Sequence, residues 1–259
     1  MPHPPQEIID LIIDFLCDDP EALKRCCLIS KTWVHRTRRH LFNHVNFKSP
    51  ERLTAWKKFP DPGIHTRSLC FRRAEWVTDA DLCWLRWFTN VKRLDVQCGE
   101  GSKARSFFAP FHNLSSAVKS LSVGWNNLPS REVFGFICSF PSLEDLNISG
   151  YGYLNDGDEV IDVGPLRLPV LNGTLVLGTV AADFVRQLSE LSNDLRFRKI
   201  VWRLDMENEF EGVGDLVARC SDTLESISIS CRTSTDVTSV RTLGHVWLSD
   251  WTSVRSGSR

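Results

Sequence analysis

From residue 69 onward one pattern returns at near-constant spacing: two apolar residues separated by a single variable one. The pairs are Leu69/Phe71, Leu94/Val96, Leu121/Val123, Leu146/Ile148, Leu175/Leu177, Ile200/Trp202 and Ile227/Ile229. Their first members lie 25, 27, 25, 29, 25 and 27 residues apart, and Val91, Val118, Leu143, Phe197 and Leu224 each stand three residues ahead of a pair. In a chain that is 42% apolar the alternation alone arises often by chance, so it is the regular spacing that constrains the fold. One such unit is too small to bury its own apolar side. It becomes stable by stacking on its neighbours, which makes one continuous core.

Period-two alternation reads as short strands, and the segments between them read as helices. Thr78-Asp79-Ala80-Asp81 resembles a capping box ahead of Trp84, Leu85 and Phe88. Ser130 can open a helix bearing Val133, Phe136, Ile137 and Phe140, and Thr179 one bearing Phe184, Leu188 and Leu191. Leu216, Val217 and Cys220 suggest a fourth, whereas the Gly-, Asp- and Pro-rich stretch 150–170 reads as a long loop. The expected fold class is α/β, with about seven short strands forming a parallel sheet on one curved face. Trp76, Trp84, Trp87 and Trp202 fall within the pattern and are expected in the core.

If each pair points inward, the residues flanking it point outward. These are Arg93, Asp95 and Gln97, then Ser120 and Ser122, Asp145, Asn147 and Ser149, Lys199, Val201 and Arg203, and Ser226, Ser228 and Ser230. Small and polar, this row suits a protein partner better than a small-molecule cavity. The tail 232–259 is rich in Ser, Thr and Arg, fits no repeat, and offers no obvious cover for the last strand.

The chemistry of most enzyme classes has no signature here. G-x-S-x-G, H-E-x-x-H and G-x-x-x-x-G-K-[ST] are all missing. Gly150, Gly152 and Gly157 miss dinucleotide spacing, and Asp156, Asp158, Glu159 and Asp162 fail the EF-hand pattern. Nine cysteines, none in C-x-x-C spacing, read as reduced thiols in a cytoplasmic or nuclear protein without a structural metal or cofactor. Lys and Arg total 31 against 32 Asp and Glu, so no global positive charge favours nucleic acid or an anionic membrane. Lys31, Arg36, Arg38 and Arg39 beside Trp33 make a local basic patch that reads as the solvated side of a helix. No apolar run is long enough to span a bilayer, and the N-terminus lacks the basic start and cleavage site of a secretory signal.

The first fifty residues follow another rule. Ile8, Ile9, Leu11, Ile12, Ile13, Phe15 and Leu16 leave helix 1 only a narrow polar stripe of Glu7, Asp10 and Asp14. Asp19-Pro20-Glu21 caps a second helix, with Leu23, Cys26 and Cys27 on its apolar side, and a third runs from Ser30 through Trp33 to Leu41. Three short helices cannot make a large core, so part of helix 1 needs a partner, within the chain or outside it.

The run Pro5-x-Glu7-Ile8-Ile9-x-x-Ile12-x-x-x-Leu16, then Leu23, Cys26-Cys27-Leu28, Ser30 and Trp33, resembles an F-box over residues 4–47. That module docks onto the small adaptor of SCF-type ubiquitin ligases. Val118-Lys-Ser-Leu121-Ser-Val123-Gly-Trp-Asn126-Asn-Leu128 resembles a leucine-rich repeat, of which the other units are degenerate copies. The resemblance implies a substrate receptor that performs no bond chemistry, binding the adaptor and cullin at one end and an unknown target protein at the other. Pro5, Ile8, Ile9, Ile12, Leu16, Leu23, Leu28 and Trp33 would form or support the adaptor face. Arg93, Asp95, Gln97, Ser120, Ser122, Asp145, Asn147, Lys199, Arg203, Ser226 and Ser228 would meet the target. The implied organisation is an F-box-like module over 1–48, a linker over 49–63, a solenoid over 64–231 and an irregular tail over 232–259. A repeat scaffold outside any ligase, or a hydrolase with a Cys–His or Ser–His site between repeats, remains the alternative.

Overall fold

The structure is a computed structural model describing residues 5–58, 62–72, 77, 82–99, 108, 111, 114, 117–126, 130–151, 168–178, 182–191, 195–204, 213–232 and 240–247. It opens with three helices, α1 (Gln6–Phe15), α2 (Pro20–Ile29) and α3 (Lys31–Leu41). Asp19 starts α2 by accepting hydrogen bonds from the backbone N–H of Glu21 and Ala22, at 3.1 and 3.0 Å. Ser30 accepts from the N–H of Thr32 to start α3, whose last turn carries Arg38, Arg39 and His40 against the negative helix end.

Strands follow in order: β1 (His44–Phe47), β2 (Ser68–Arg72), β3 (Arg93–Gln97), β4 (Ser120–Asn126), β5 (Asp145–Tyr151), β6 (Thr174–Leu177), β7 (Lys199–Leu204), β8 (Ser226–Arg232) and β9 (Val240–Trp247). They form one sheet in sequence order, parallel from β1 to β8. The register aligns every repeat. Val45, Leu69, Leu94, Leu121, Leu146, Leu175, Ile200 and Ile227 make one ladder, and Phe47, Phe71, Val96, Val123, Ile148, Leu177, Trp202 and Ile229 the next. All of these are buried except Ile227 and Ile229, which are half-buried against the same core.

Helices α4 (Pro50–Trp56), α5 (Leu82–Leu85), α6 (Ser130–Cys138), α7 (Ala182–Leu191) and α8 (Val213–Arg219) lie between strands, each contributing apolar residues to that core. Phe134 of α6 stacks on Phe184 of α7 at 4.4 Å between ring centroids, and Phe71 of β2 meets Phe111 edge to face at 5.0 Å. The architecture is therefore α/β, as the spacing predicts. Trp84 and Trp202 are buried and Trp87 packs against the core; Trp76, the capping box at 78–81, Thr179 and the loop over 152–167 lie outside the described residues.

The structure departs from four expectations. The sheet has nine strands rather than about seven. Phe42-Asn43-His44-Val45-Asn46-Phe47 carries the same apolar spacing as the later units, so β1 belongs to the sheet although its residues fall at the end of the helical module. The supposed linker 49–63 holds α4, where Pro50 occupies the first turn and Leu53 is buried in the main core, and a 3-10 turn at Pro62–His65. The tail is not wholly irregular, and the sheet not wholly parallel. β9 pairs antiparallel with β8, through an irregularity between Ser228 and Ser230, and occupies an edge that would otherwise present unpaired backbone groups.

Candidate protein-docking surfaces

The N-terminal helices have a core of their own. Ile9, Ile13 and Leu23 are buried together, with Leu16, Trp33 and Leu41 packed against them, separate from the main core. The carboxylate of Asp14 ties α1 to α3. It accepts from Arg36 Nε at 2.7 Å and from Arg36 Nη2, and pairs with His40 Nε2 at 2.7 Å. The Arg36 hydrogen bond, then that of His40, holds the Asp14 carboxyl well below the usual carboxylate range. Arg36 is thus engaged within the module, while Lys31, Arg38 and Arg39 lie on the solvated side of α3.

Once this core is filled, a second apolar stripe remains on α1. Ile8, Leu11, Ile12 and Phe15, at helical spacing, are exposed, as are Leu28 and Ile29 at the end of α2. Phe15 is 89% exposed and Leu28 87%. Of the residues expected on the adaptor face, Pro5, Ile8, Ile12 and Leu28 are exposed and Leu16 and Trp33 half-buried. Ile9 and Leu23 are buried inside the module, where they support the face from behind. Leu11, Phe15 and Ile29 join the exposed stripe although they were not among the expected site residues; their spacing from Ile8, Ile12 and Leu28 was the available signal.

The second surface is the outer side of the sheet. Arg93, Gln97, Lys199 and Arg203 are exposed, and Asp95, Ser120, Ser122, Asp145, Asn147, Ser226 and Ser228 half-exposed, so every expected outward position faces away from the core. Register makes one row of Cys70, Asp95, Ser122 and Asn147. Asn147 Nδ2 donates to Ser122 Oγ at 3.2 Å, and Gln97 Nε2 to Asp95 Oδ1 at 3.5 Å. Asp145 Oδ1 accepts from the N–H of Thr174 at 2.7 Å, which stitches β5 to β6. The row extends across strands supplied by separate repeats, a geometry suited to a broad partner.

Burial shifts several of the described thiols away from the thiolate form. Cys26, Cys70, Cys98 and Cys220 are buried and form no disulfide. Burial, reinforced by the charge of Asp95, pushes the Cys70 thiol up to about 11; burial alone does the same to Cys138. These shifts oppose the thiolate character a nucleophile needs. Among the described residues, no group of three or more His, Cys, Asp or Glu side chains is placed to hold a metal ion, and no helix is long and apolar enough to cross a membrane. The chain matches no protein-family model, and no curated protein matches it.

Proposed function

We propose that the protein is a substrate-recognition subunit of an SCF-type ubiquitin ligase. One observation carries the reading: α1 is apolar on two faces, and the fold covers only one of them. Ile9 and Ile13 are spent on the internal core, while Ile8, Leu11, Ile12, Phe15, Leu28 and Ile29 remain exposed. Removing such side chains from water is worth about 1–2 kcal/mol apiece for partial burial. Six together supply a gross driving force of about 6–12 kcal/mol, of the same order as the cost of association. An exposed apolar helix face of this kind calls for a protein partner, and the resemblance of residues 4–47 to an F-box names the adaptor as that partner.

In this reading Pro5, Ile8, Ile12 and Leu28, with the additional Leu11, Phe15 and Ile29, contact the adaptor. Ile9, Leu16, Leu23 and Trp33 hold the helices in place behind them. The outer sheet face, through Arg93, Asp95, Gln97, Asn147, Lys199 and Arg203, receives the target. The subunit holds target lysines near the charged ubiquitin carrier and raises their effective concentration; the bond chemistry belongs to other subunits.

The test is capture of purified adaptor and cullin by the full chain. Binding should survive Lys199→Gln with Arg203→Gln, and should fall at least about tenfold with Ile8→Ser and Ile12→Ser, whose side chains support no internal core. No binding at micromolar adaptor overturns the ligase assignment and leaves a protein-binding scaffold.

A further inference from the structure

The register of the sheet places three cations side by side where the chain enters β2, β3 and β4. Lys92 N–H donates to the carbonyl of Arg67 at 2.8 Å, and Lys119 N–H to the carbonyl of Lys92 at 2.8 Å, so Arg67, Lys92 and Lys119 occupy one row. The row continues through Glu144, Gly173, Arg198 and Glu225 by the same backbone bonds. Neighbouring strands are about 4.8 Å apart. Side chains one step apart in this row do meet: Lys119 Nζ lies 2.5 Å from Glu144 Oε1.

Beyond that point each cation of the row has a carboxylate beside it. Lys119 is matched by Glu144, and Arg198 comes within 4.0 Å of Glu225. At the β2–β3 end this does not hold. Arg67 and Lys92 are exposed where their strands begin, and Arg93, the first residue of β3, is exposed as well. Among the described residues, no hydrogen bond or ion pair engages these three side chains. Of the nearby carboxylates, Glu144 is paired with Lys119, while Asp95 accepts from Gln97 and Cys70 and Asp145 from the Thr174 N–H. Like charges aligned on adjacent strands repel. In a chain of net charge −1, this concentration comes from register and not from overall composition.

We infer that the rim formed by Arg67, Lys92 and Arg93 is a docking site for a run of Asp and Glu residues in a target protein. The inference rests on the reading of this side of the sheet as target-binding. The cations are spread over the entries to two adjacent strands, Arg67 at β2 and Lys92 with Arg93 at β3, which suits several carboxylates spaced along a chain better than one phosphate group. Alternate residues of an extended peptide present side chains about 6.8 Å apart, within reach of Arg and Lys stems set about 4.8 Å apart. A row this short would neutralise too few phosphates to hold nucleic acid at physiological salt.

The experiment uses a fluorescein-labelled glutamate-rich peptide of about ten residues and the full-length chain, with anisotropy read across a salt series. The expected result is binding that weakens steadily with salt and falls about tenfold in the Arg67→Gln, Lys92→Gln, Arg93→Gln variant. The Arg38→Gln, Arg39→Gln variant, on the solvated side of α3, should bind as the wild type does. The inference is overturned by no binding at low salt, by equal loss in both variants, or by tighter binding of a single-phosphoserine peptide or a single-stranded oligonucleotide. A second readout is independent of the peptide. Lys92→Gln alone should raise the melting temperature by relieving repulsion, and a lower one contradicts the aligned-cation geometry. Neither measurement involves the adaptor, so loss of adaptor capture and loss of peptide binding are separate outcomes.

Discussion

Ile13 offers the sharpest test of whether the N-terminal helices and the sheet are separate packing units. It is fully buried, and its neighbours are Ile9 and Leu23, with Leu16, Trp33 and Leu41 around them. Ile13→Ala removes three carbons, about 2.4 kcal/mol at 0.8 kcal/mol per methylene, and leaves a cavity that brings the cost to about 3–4 kcal/mol. A core of six side chains supplies only a few kcal/mol of local stability, so the loss should open the module. The connections to the sheet run through α3 and α4: His35 meets His65 edge to face at 5.5 Å, and Phe42 meets Trp56 at 5.6 Å. None of these contacts involves α1. Native-state hydrogen exchange should therefore show α1 amides exchanging about a hundredfold faster, with the protection of β3–β7 unchanged. Leu146→Ala, in the middle of the main core, is the counterpart and should lower the thermal transition of the sheet by the equivalent of about 2–5 kcal/mol. The reasoning is refuted if Ile13→Ala lowers that transition as far as Leu146→Ala does, without selective exchange in α1.

Asp14 gives a pH signature. Its carboxyl is held below the usual range by Arg36 and His40, so its contribution is complete above the unfolded value near 3.9 and fades as pH falls through the lower folded value. The difference in denaturation midpoint between wild type and Asp14→Asn should shrink as pH falls below about 4; a difference that grows on acidification below about pH 4 contradicts the pairing. Two glycines should respond oppositely to alanine. A methyl at Gly178 would sit 2.7 Å from Ser149 Cβ across the strands and should cost about 1–3 kcal/mol, whereas Gly135, on a helix with open space around it, should gain about 0.4–1 kcal/mol in urea titration. Deleting residues 232–259 should lower the melting temperature and promote aggregation, because β8 then loses its antiparallel partner; an unchanged melt and a monomeric profile by light scattering would show that β9 contributes nothing.

Much of this fold is written locally. Alternation of period two at near-constant spacing marks β2 to β8, and it also decides which side chains face the core, because a strand turns successive residues to opposite sides whatever lies beyond it. Leu94 and Val96 inward, with Arg93, Asp95 and Gln97 outward, needed nothing but the sequence. The same holds for the caps at Asp19 and Ser30, whose side chains reach only the next turn.

The tertiary structure settled what local pattern leaves degenerate. Helix α1 is apolar on two faces, so periodicity alone does not choose between Ile9 with Ile13 and Ile8 with Ile12; packing against Leu23 and Trp33 buried the first pair and left the second in water. β9 joined the sheet because the edge left by β8 accepts a further backbone partner, a demand set by the neighbouring strand, whereas residues 42–47 carry the repeat spacing themselves and pair in register with β2. The cation rim has the same origin. Arg67, Lys92 and Lys119 stand 25 and 27 residues apart in the chain, and only the stacking register makes them neighbours. Side-chain direction along a strand is a short-range property, whereas which strands align, and which charges then confront one another, depends on contacts between residues far apart in sequence.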